Sequence, residues 1–270
     1  MSNPAPRYID THTHLDFPDF DADRQQVLAD CRAQGVARLV VLGVLRDNWS
    51  RIWQLCSSHP QLYAAFGLHP VFSHQHQPGD LVALRDWLVA CISHPQCCAV
   101  GETGLDYYVA DADRDHQQRL FEAQLQLARD FNLPVLVHVR RAHAVTIATL
   151  KRYRLPRAGI IHAFAGSPEE AREYCRLGFK LGLGGAATWP QALRLRRTLA
   201  ALPLDSLVLE TDSPDMAPAF LAGQRNSPTA LAQICHELAQ LRNESPTQLA
   251  NACLQNSCEL FGWAPGDVKV

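Results

Sequence analysis

Eight short apolar runs, each followed by a helical pattern, constrain this chain more than any other feature. The runs span 8–12, 37–43, 63–68, 98–102, 134–139, 159–163, 179–183 and 206–210. Most are continuously apolar rather than alternating, which fits strands covered on both faces. Helical spacing of apolar residues fills 21–34, 49–58, 81–93, 114–132, 143–153, 167–177 and 190–199, and two more helices, 228–241 and 246–261, close the chain. The stretch 167–177 opens on Ser-Pro-Glu-Glu and stops at Gly178, a good cap at each end. Alternation of this kind predicts a (β/α)8 TIM barrel in a single α/β domain over residues 1–270. The competitor is an open doubly wound sheet. It would more often have fewer strands and a glycine-rich phosphate loop, and the chain has no G-x-G-x-x-G and no P-loop.

Composition bounds the partners. Of 270 residues, 47% are hydrophobic, enough for a sizeable core, and the net charge is only -2. No basic run offers a broad nucleic-acid face, so a polyanionic substrate must be met locally, by metal ions or a few arginines. No apolar run approaches the roughly 18 to 20 residues of a membrane span. Residues 1–7 lack the basic and apolar regions of a signal peptide. The nine cysteines form no C-x-x-C pair and sit mostly in apolar helical surroundings, which is cytosolic usage. The expectation is therefore a cytoplasmic protein with no membrane partner and no obligate protein partner.

In a barrel of this kind the active site forms at the C-terminal ends of the strands. The first run ends in His12 and His14, which share a face because side chains alternate along a strand. The fourth ends in Glu102, the fifth near His138, the sixth near His162, and the eighth runs into Asp212. Four imidazoles and two carboxylates exceed what one tetrahedral zinc needs. The economical reading is two divalent ions: His12, His14 and Asp212 on one, His138 and His162 on the other, and Glu102 bridging. Two ions roughly 3.5 to 4 Å apart clamp the attacking and leaving oxygens of a displacement. Asp212 and Glu102 are the candidate catalytic residues, with Asp212 able to orient the water and take its proton. Mixed nitrogen and oxygen ligation admits Zn, Mn or Mg.

These residues also carry a resemblance. Ile9-Asp10-Thr11-His12 with His14, Gly67-Leu68-His69-Pro70, Gly101-Glu102 with Gly104-Leu105-Asp106, Leu133-Pro134-Val135 with His138, the His162 segment, and Glu210-Thr211-Asp212 with Pro214 resemble the TatD family of metal-dependent hydrolases, and most closely its YjjV-type members. The resemblance runs over nearly the whole chain. It implies a TIM barrel, two divalent ions on the positions just named, and deoxyribonuclease activity as found for some members. Related metallohydrolases often bridge their ions with a carboxylated lysine; here a glutamate takes that place, as in the TatD pattern.

Other residues have a functional and a plain reading. His69 is a candidate substrate-phosphate contact or a loop histidine. Arg140, two residues past His138, either recognises phosphate bidentately or pairs with a barrel acid. Arg225 resembles the family's R-N-x-P segment and is a candidate phosphate contact. Asp10 shares a face with His12 and is a candidate acceptor for an imidazole N–H. Glu210 is expected to pair structurally, and Tyr107 and Tyr108 to line the pocket or to pack. Trp53, Phe121 and Phe131 read as core. His74 and His76 are expected in a solvated loop, and His143 at a helix-start surface.

The function expected from all this is metal-dependent hydrolysis of phosphodiester bonds in DNA, from an end, on short or single-stranded substrate. Two alternatives stay open. One keeps the metals and changes the substrate to a small amide, lactone or phosphoester, since one barrel hosts many chemistries. The other is a metal-dependent binding protein without turnover.

Overall fold

Every apolar run becomes a strand. In the computed structural model, which describes residues 6–268, they are β1 (Tyr8–Thr13), β2 (Val36–Leu42), β3 (Leu62–Phe66), β4 (Cys97–Asp106), β5 (Val135–Arg140), β6 (Gly159–Ile161), β7 (Lys180–Leu183) and β8 (Leu207–Leu209). Most of the segment expected to lack a signal peptide, residues 1–5, lies outside the described residues. The helices are α1 (Arg24–Ala33), α2 (Trp49–Ser58), α3 (Asp80–Cys91), α4 (Arg114–Asp130), α5 (His143–Tyr153), α6 (Pro168–Arg176), α7 (Leu193–Ala200), α8 (Leu231–Arg242) and α9 (Pro246–Phe261). The strands run β1 to β8 in sequence order in one sheet, with a helix after each, so the fold is the (β/α)8 TIM barrel. Among the described residues, no helix is long and apolar enough to cross a membrane.

The chain divides into two compact units, residues 1–40 with 180–270, and residues 41–179. In the first, β7 and β8 pair in parallel, Leu181 opposite Leu207 and Leu183 opposite Leu209. The backbone of β1 meets the segment after β8 through Asp212 N–H to His12 O (2.9 Å) and His14 N–H to Ser213 O (2.8 Å). Ile9, Ala37, Leu254, Cys258 and Val268 form a buried cluster beneath them, so α9 packs its apolar face on β1. Buried Asn256 of α9 donates to the carbonyls of Leu204 and Leu207, both at 2.7 Å, and fixes the start of β8.

In the second unit, β3, β4, β5 and β6 pair in parallel. Here β4 departs most from expectation. It continues four residues past Glu102, to Asp106, with all ten residues buried. A break in register between Val100 and Thr103 lets it carry two acids inward. Gly104 makes this possible: its φ is +141°, and a Cβ there would stand 2.0 Å from the carbonyl oxygen of His138. Two buried glutamines on one face of α4, two turns apart, tie the loops to this strand. Gln124 accepts from Leu68 N–H (2.8 Å) and donates to Leu68 O (3.1 Å). Gln117 accepts from Asp106 N–H (2.9 Å) and donates to Pro70 O (3.2 Å).

Candidate metal centre

Each unit carries its own set of ligand-type side chains. In the first, β1 alternates, so Asp10, His12 and His14 share one face. All three are buried. The Asp10 carboxylate does not take an imidazole N–H. It accepts from Thr211 Oγ1 (2.6 Å), Thr211 N–H (3.0 Å) and His12 N–H (3.2 Å), and so braces β1 against the segment that carries Asp212. Burial pushes its carboxyl up to about 7, although the hydrogen bonds from Thr211 and His12 oppose the rise. Asn226, fully buried, holds the same segment by donating to Thr211 O (2.8 Å) and Asp215 O (2.7 Å).

His12 Nε2 and His14 Nε2 approach one atom, Asp212 Oδ1, at 3.5 and 3.6 Å. Those separations are long for a hydrogen bond. They match the spacing of two ligands on a tetrahedral ion, about 3.4 Å when each bond is about 2.1 Å. The donor set of two imidazoles and a carboxylate therefore fits a divalent cation.

The second set centres on Glu102. Its Oε1 lies 2.9 Å from His69 Nε2 and 3.2 Å from His138 Nδ1. These three residues bring ligand-type atoms within 4.8 Å of one another. The tautomer of His69 decides its part. Its Nδ1 accepts a hydrogen bond from Val71 N–H (3.2 Å), so in the neutral ring the proton sits on Nε2, facing Glu102. In that tautomer His69 donates to the Glu102 carboxylate. His138 has the reverse arrangement. Its Nε2 is bound to Asp106 Oδ2 at 2.8 Å, leaving Nδ1 toward Glu102. This is the carboxylate–histidine pairing that orients a metal-binding imidazole. Burial disfavours the imidazolium, but the bonds to Asp106 and Glu102 outweigh it and hold His138 above the ordinary histidine range. Burial likewise works to raise Asp106, yet the His138 contact keeps it below the usual carboxylate range. The His162 ring, at the end of β6, stacks toward that of His138 with centroids 6.4 Å apart.

Asp106 is the residue that sequence reasoning missed. The signal was present: Glu102, Gly104 and Asp106 are spaced by two, so both acids face one side of an extended strand. Other expectations are corrected by burial. His76 is 8% exposed rather than solvated, and its Nε2 donates to His69 O at 2.9 Å. His143 is half-buried, with Nδ1 3.1 Å from the Tyr174 hydroxyl. Arg225 is held by both carboxylate oxygens of Asp23 (3.0 and 2.6 Å) and lies over the Phe20 ring. Arg140 is exposed and lies over the Tyr108 ring, 3.7 Å from its centroid.

Histidines and carboxylates at the strand ends of a (β/α)8 fold define the class of metal-dependent hydrolases. Within that class the chain belongs to the TatD-related DNase family, whose family model matches residues 9–262. The uncharacterized metal-dependent hydrolase YjjV of Escherichia coli K12 is 40% identical over 255 residues, 94% of this chain and 98% of its own length. Its crystal structure matches with a TM-score of 0.92 over 96% of this chain and 100% of that one. A Citrobacter koseri protein named 3'-5' ssDNA/RNA exonuclease TatD is 32% identical over 263 residues, 95% of this chain and 99% of its own.

Proposed function

We propose that this chain hydrolyses phosphodiester bonds in nucleic acid, DNA from an end in the first instance, with two divalent ions, Zn, Mn or Mg. The convergence of His12 and His14 on one oxygen of Asp212 at 3.5 and 3.6 Å is the observation that carries this reading. The exonuclease name of the Citrobacter relative supports nucleic acid as the substrate. We assign His12, His14 and Asp212 to one ion, His138 and His162 to the other, and Glu102 to both, with residues 1–270 acting as one domain. Such ions supply charge neutralisation at the phosphoryl oxygens and a water of lowered pKa.

The chain's own groups do the rest. Asp212 orients the attacking water and accepts its proton at Oδ2. His69 Nε2–H holds the Glu102 carboxylate in place, and Asp106 holds the His138 ring. The water oxygen bonds to phosphorus as the bond to the leaving oxygen breaks. Arg140 is the assigned substrate contact; His69 reaches a phosphate only by releasing Glu102, and Arg225 only by releasing Asp23. Nine free thiols, eight of them buried, fit a reducing compartment and a cytoplasmic protein.

Chelation followed by reloading is the test. Degradation of a single-stranded oligonucleotide should cease in excess chelator and return with Zn, Mn or Mg, with elemental analysis giving two equivalents bound. Nuclease activity that persists after the ions are stripped overturns the reading. A second expectation concerns the missed acid. Asp106→Asn should weaken metal affinity by about 10- to 100-fold, because it removes the group that orients His138. Competition against a metal-sensitive indicator measures it, and wild-type affinity in the variant would remove Asp106 from the centre.

A further inference from the structure

We propose that Tyr108, Arg140 and Arg141 form a shelf that binds the nucleotide next to the scissile phosphate of a single-stranded substrate. The proposal rests on the nucleic-acid reading above and extends it to a site that the ligand set does not use.

The shelf is the continuation of β4 and β5. Asp106 stands opposite Arg140 in the strand register, and Tyr107 N–H donates to Arg140 O at 2.8 Å, so the two strand ends leave the sheet side by side. Asp106 joins shelf and centre. One of its oxygens faces His138 Nε2, and the other accepts from Tyr108 N–H (2.8 Å) and Val109 N–H (3.2 Å). Tyr108 is therefore set by the same carboxylate that sets a metal-binding imidazole. Arg140 lies two residues beyond His138, about 6.6 Å along the strand. Arg141, at φ +56°, turns out of the strand beside it.

Chemistry favours a nucleotide. The guanidinium carbons of Arg140 and Arg141 lie 3.7 and 4.6 Å from the Tyr108 ring centroid. Several other arginines take acids, as Arg24 does with Asp21, Arg152 with Glu122 and Arg225 with Asp23, while Arg114 and Arg38 also lie over aromatic rings, of Tyr107 and Trp263. Among the described residues, neither Arg140 nor Arg141 pairs with a carboxylate. Asp106 faces His138, and Asp113 caps α4 by accepting from His116 N–H. Cation–π contact orders a guanidinium without using its N–H edge, which stays available to phosphate oxygens. Tyr108 is 50% exposed, an unusual state for a large ring, and leaves surface for a base or sugar. Phosphate contacts beside an aromatic face are how single strands are held without sequence readout. A duplex would keep its bases stacked away from the ring. The low overall charge is no obstacle, because only the few phosphates near the centre need cations.

The test uses the full, metal-loaded chain. Binding of a short fluorescein-labelled single-stranded deoxyoligonucleotide is read by anisotropy, with Asp212→Asn in every protein so that the probe survives. Adding Tyr108→Ala should weaken binding about tenfold, and Tyr108→Phe should restore it. Arg140→Gln with Arg141→Gln should flatten the log–log salt dependence by about 1.4, about 0.7 for each lost phosphate contact. With Asp212 intact, Tyr108→Ala and Arg141→Gln should each raise KM for the oligonucleotide and leave turnover of bis(p-nitrophenyl) phosphate, too small to reach the shelf, as it was. Unchanged affinity and salt slope, in variants of a protein that still degrades the oligonucleotide, overturn the shelf alone. Loss of small-diester turnover in Tyr108→Ala also overturns it, because the ring would then be supporting the centre. A wild-type protein that cleaves the small diester but neither binds nor degrades oligonucleotide overturns the nucleic-acid reading, and the shelf with it.

Discussion

Asp212→Asn should lower the rate of phosphodiester hydrolysis by about 1,000-fold or more, while the protein remains folded. The carboxylate meets His12 and His14 at 3.5 and 3.6 Å, and in the proposed reaction it takes the proton of the attacking water. An amide of the same shape keeps one oxygen for a ligand contact but has no charge and no basic oxygen. Asparagine is the informative replacement because of the backbone. Asp212 has φ +58°, a conformation that asparagine tolerates better than most residues. Its N–H to His12 O bond, at 2.9 Å, does not involve the side chain. Alanine would add backbone strain to the chemical loss and confuse the two. Initial rates on a labelled oligonucleotide and on a small diester, with circular dichroism and metal content alongside, separate chemistry from folding and loading. A variant within tenfold of wild type would show that another group handles the proton.

The fold was legible because burial on both faces of a parallel sheet writes itself as continuous apolar runs. Every strand and every α-helix among the described residues was found, and most boundaries moved by three residues or fewer. The larger error was instructive. β4 was expected to end at Glu102 because apolar character ends there. Yet Glu102, Thr103 and Asp106 are at most 2% exposed, since the strand's last turns face the centre rather than the core. Hydropathy cannot see a polar residue that is buried by function. β8 erred the other way: it stops at Leu209, and Glu210 closes instead over Gly182, where a Cβ would meet its Oε2 at 2.1 Å.

The candidate site was legible where its side chain lies on a strand end, as with His12 and His138. It was less so where the partner comes from afar or through the backbone. Arg225 meets an acid 202 positions away, and nothing in Gln224-Arg225-Asn226 announces Asp23. His76 looked solvated among glutamines, but its role is to hold the carbonyl of His69, a contact that leaves no trace in residue type. His69 read as a phosphate contact or a loop histidine, and its contact with Glu102 depends on a backbone N–H, that of Val71, which no residue type announces.

Glu102→Gln should abolish the metal-dependent stabilisation of the protein without destabilising the metal-free form. Glu102 is 2% exposed and receives both His69 Nε2 and His138 Nδ1 on one oxygen. With a cation present, its charge is compensated and attractive. Without one, it is a buried acid whose contacts include His69 and His138, and a glutamine of equal volume keeps an oxygen to accept from His69 Nε2–H. A ligand that binds only the folded state stabilises it by RT ln(1 + [L]/Kd), about 2.7 kcal/mol at 100 times Kd. Loss of a bridging carboxylate should weaken binding by about 100-fold or more, beyond what an orienting group alone contributes. Most of that gain then disappears at the same metal concentration. Thermal unfolding with and without added Zn or Mn reads the difference directly: wild type should melt higher with metal, and Glu102→Gln should melt at one temperature in both. Because the readout is stability, it holds whatever the substrate proves to be. A Glu102→Gln protein that keeps the wild-type metal shift would move the bridging role to another side chain and leave Glu102 as a partner of two histidines.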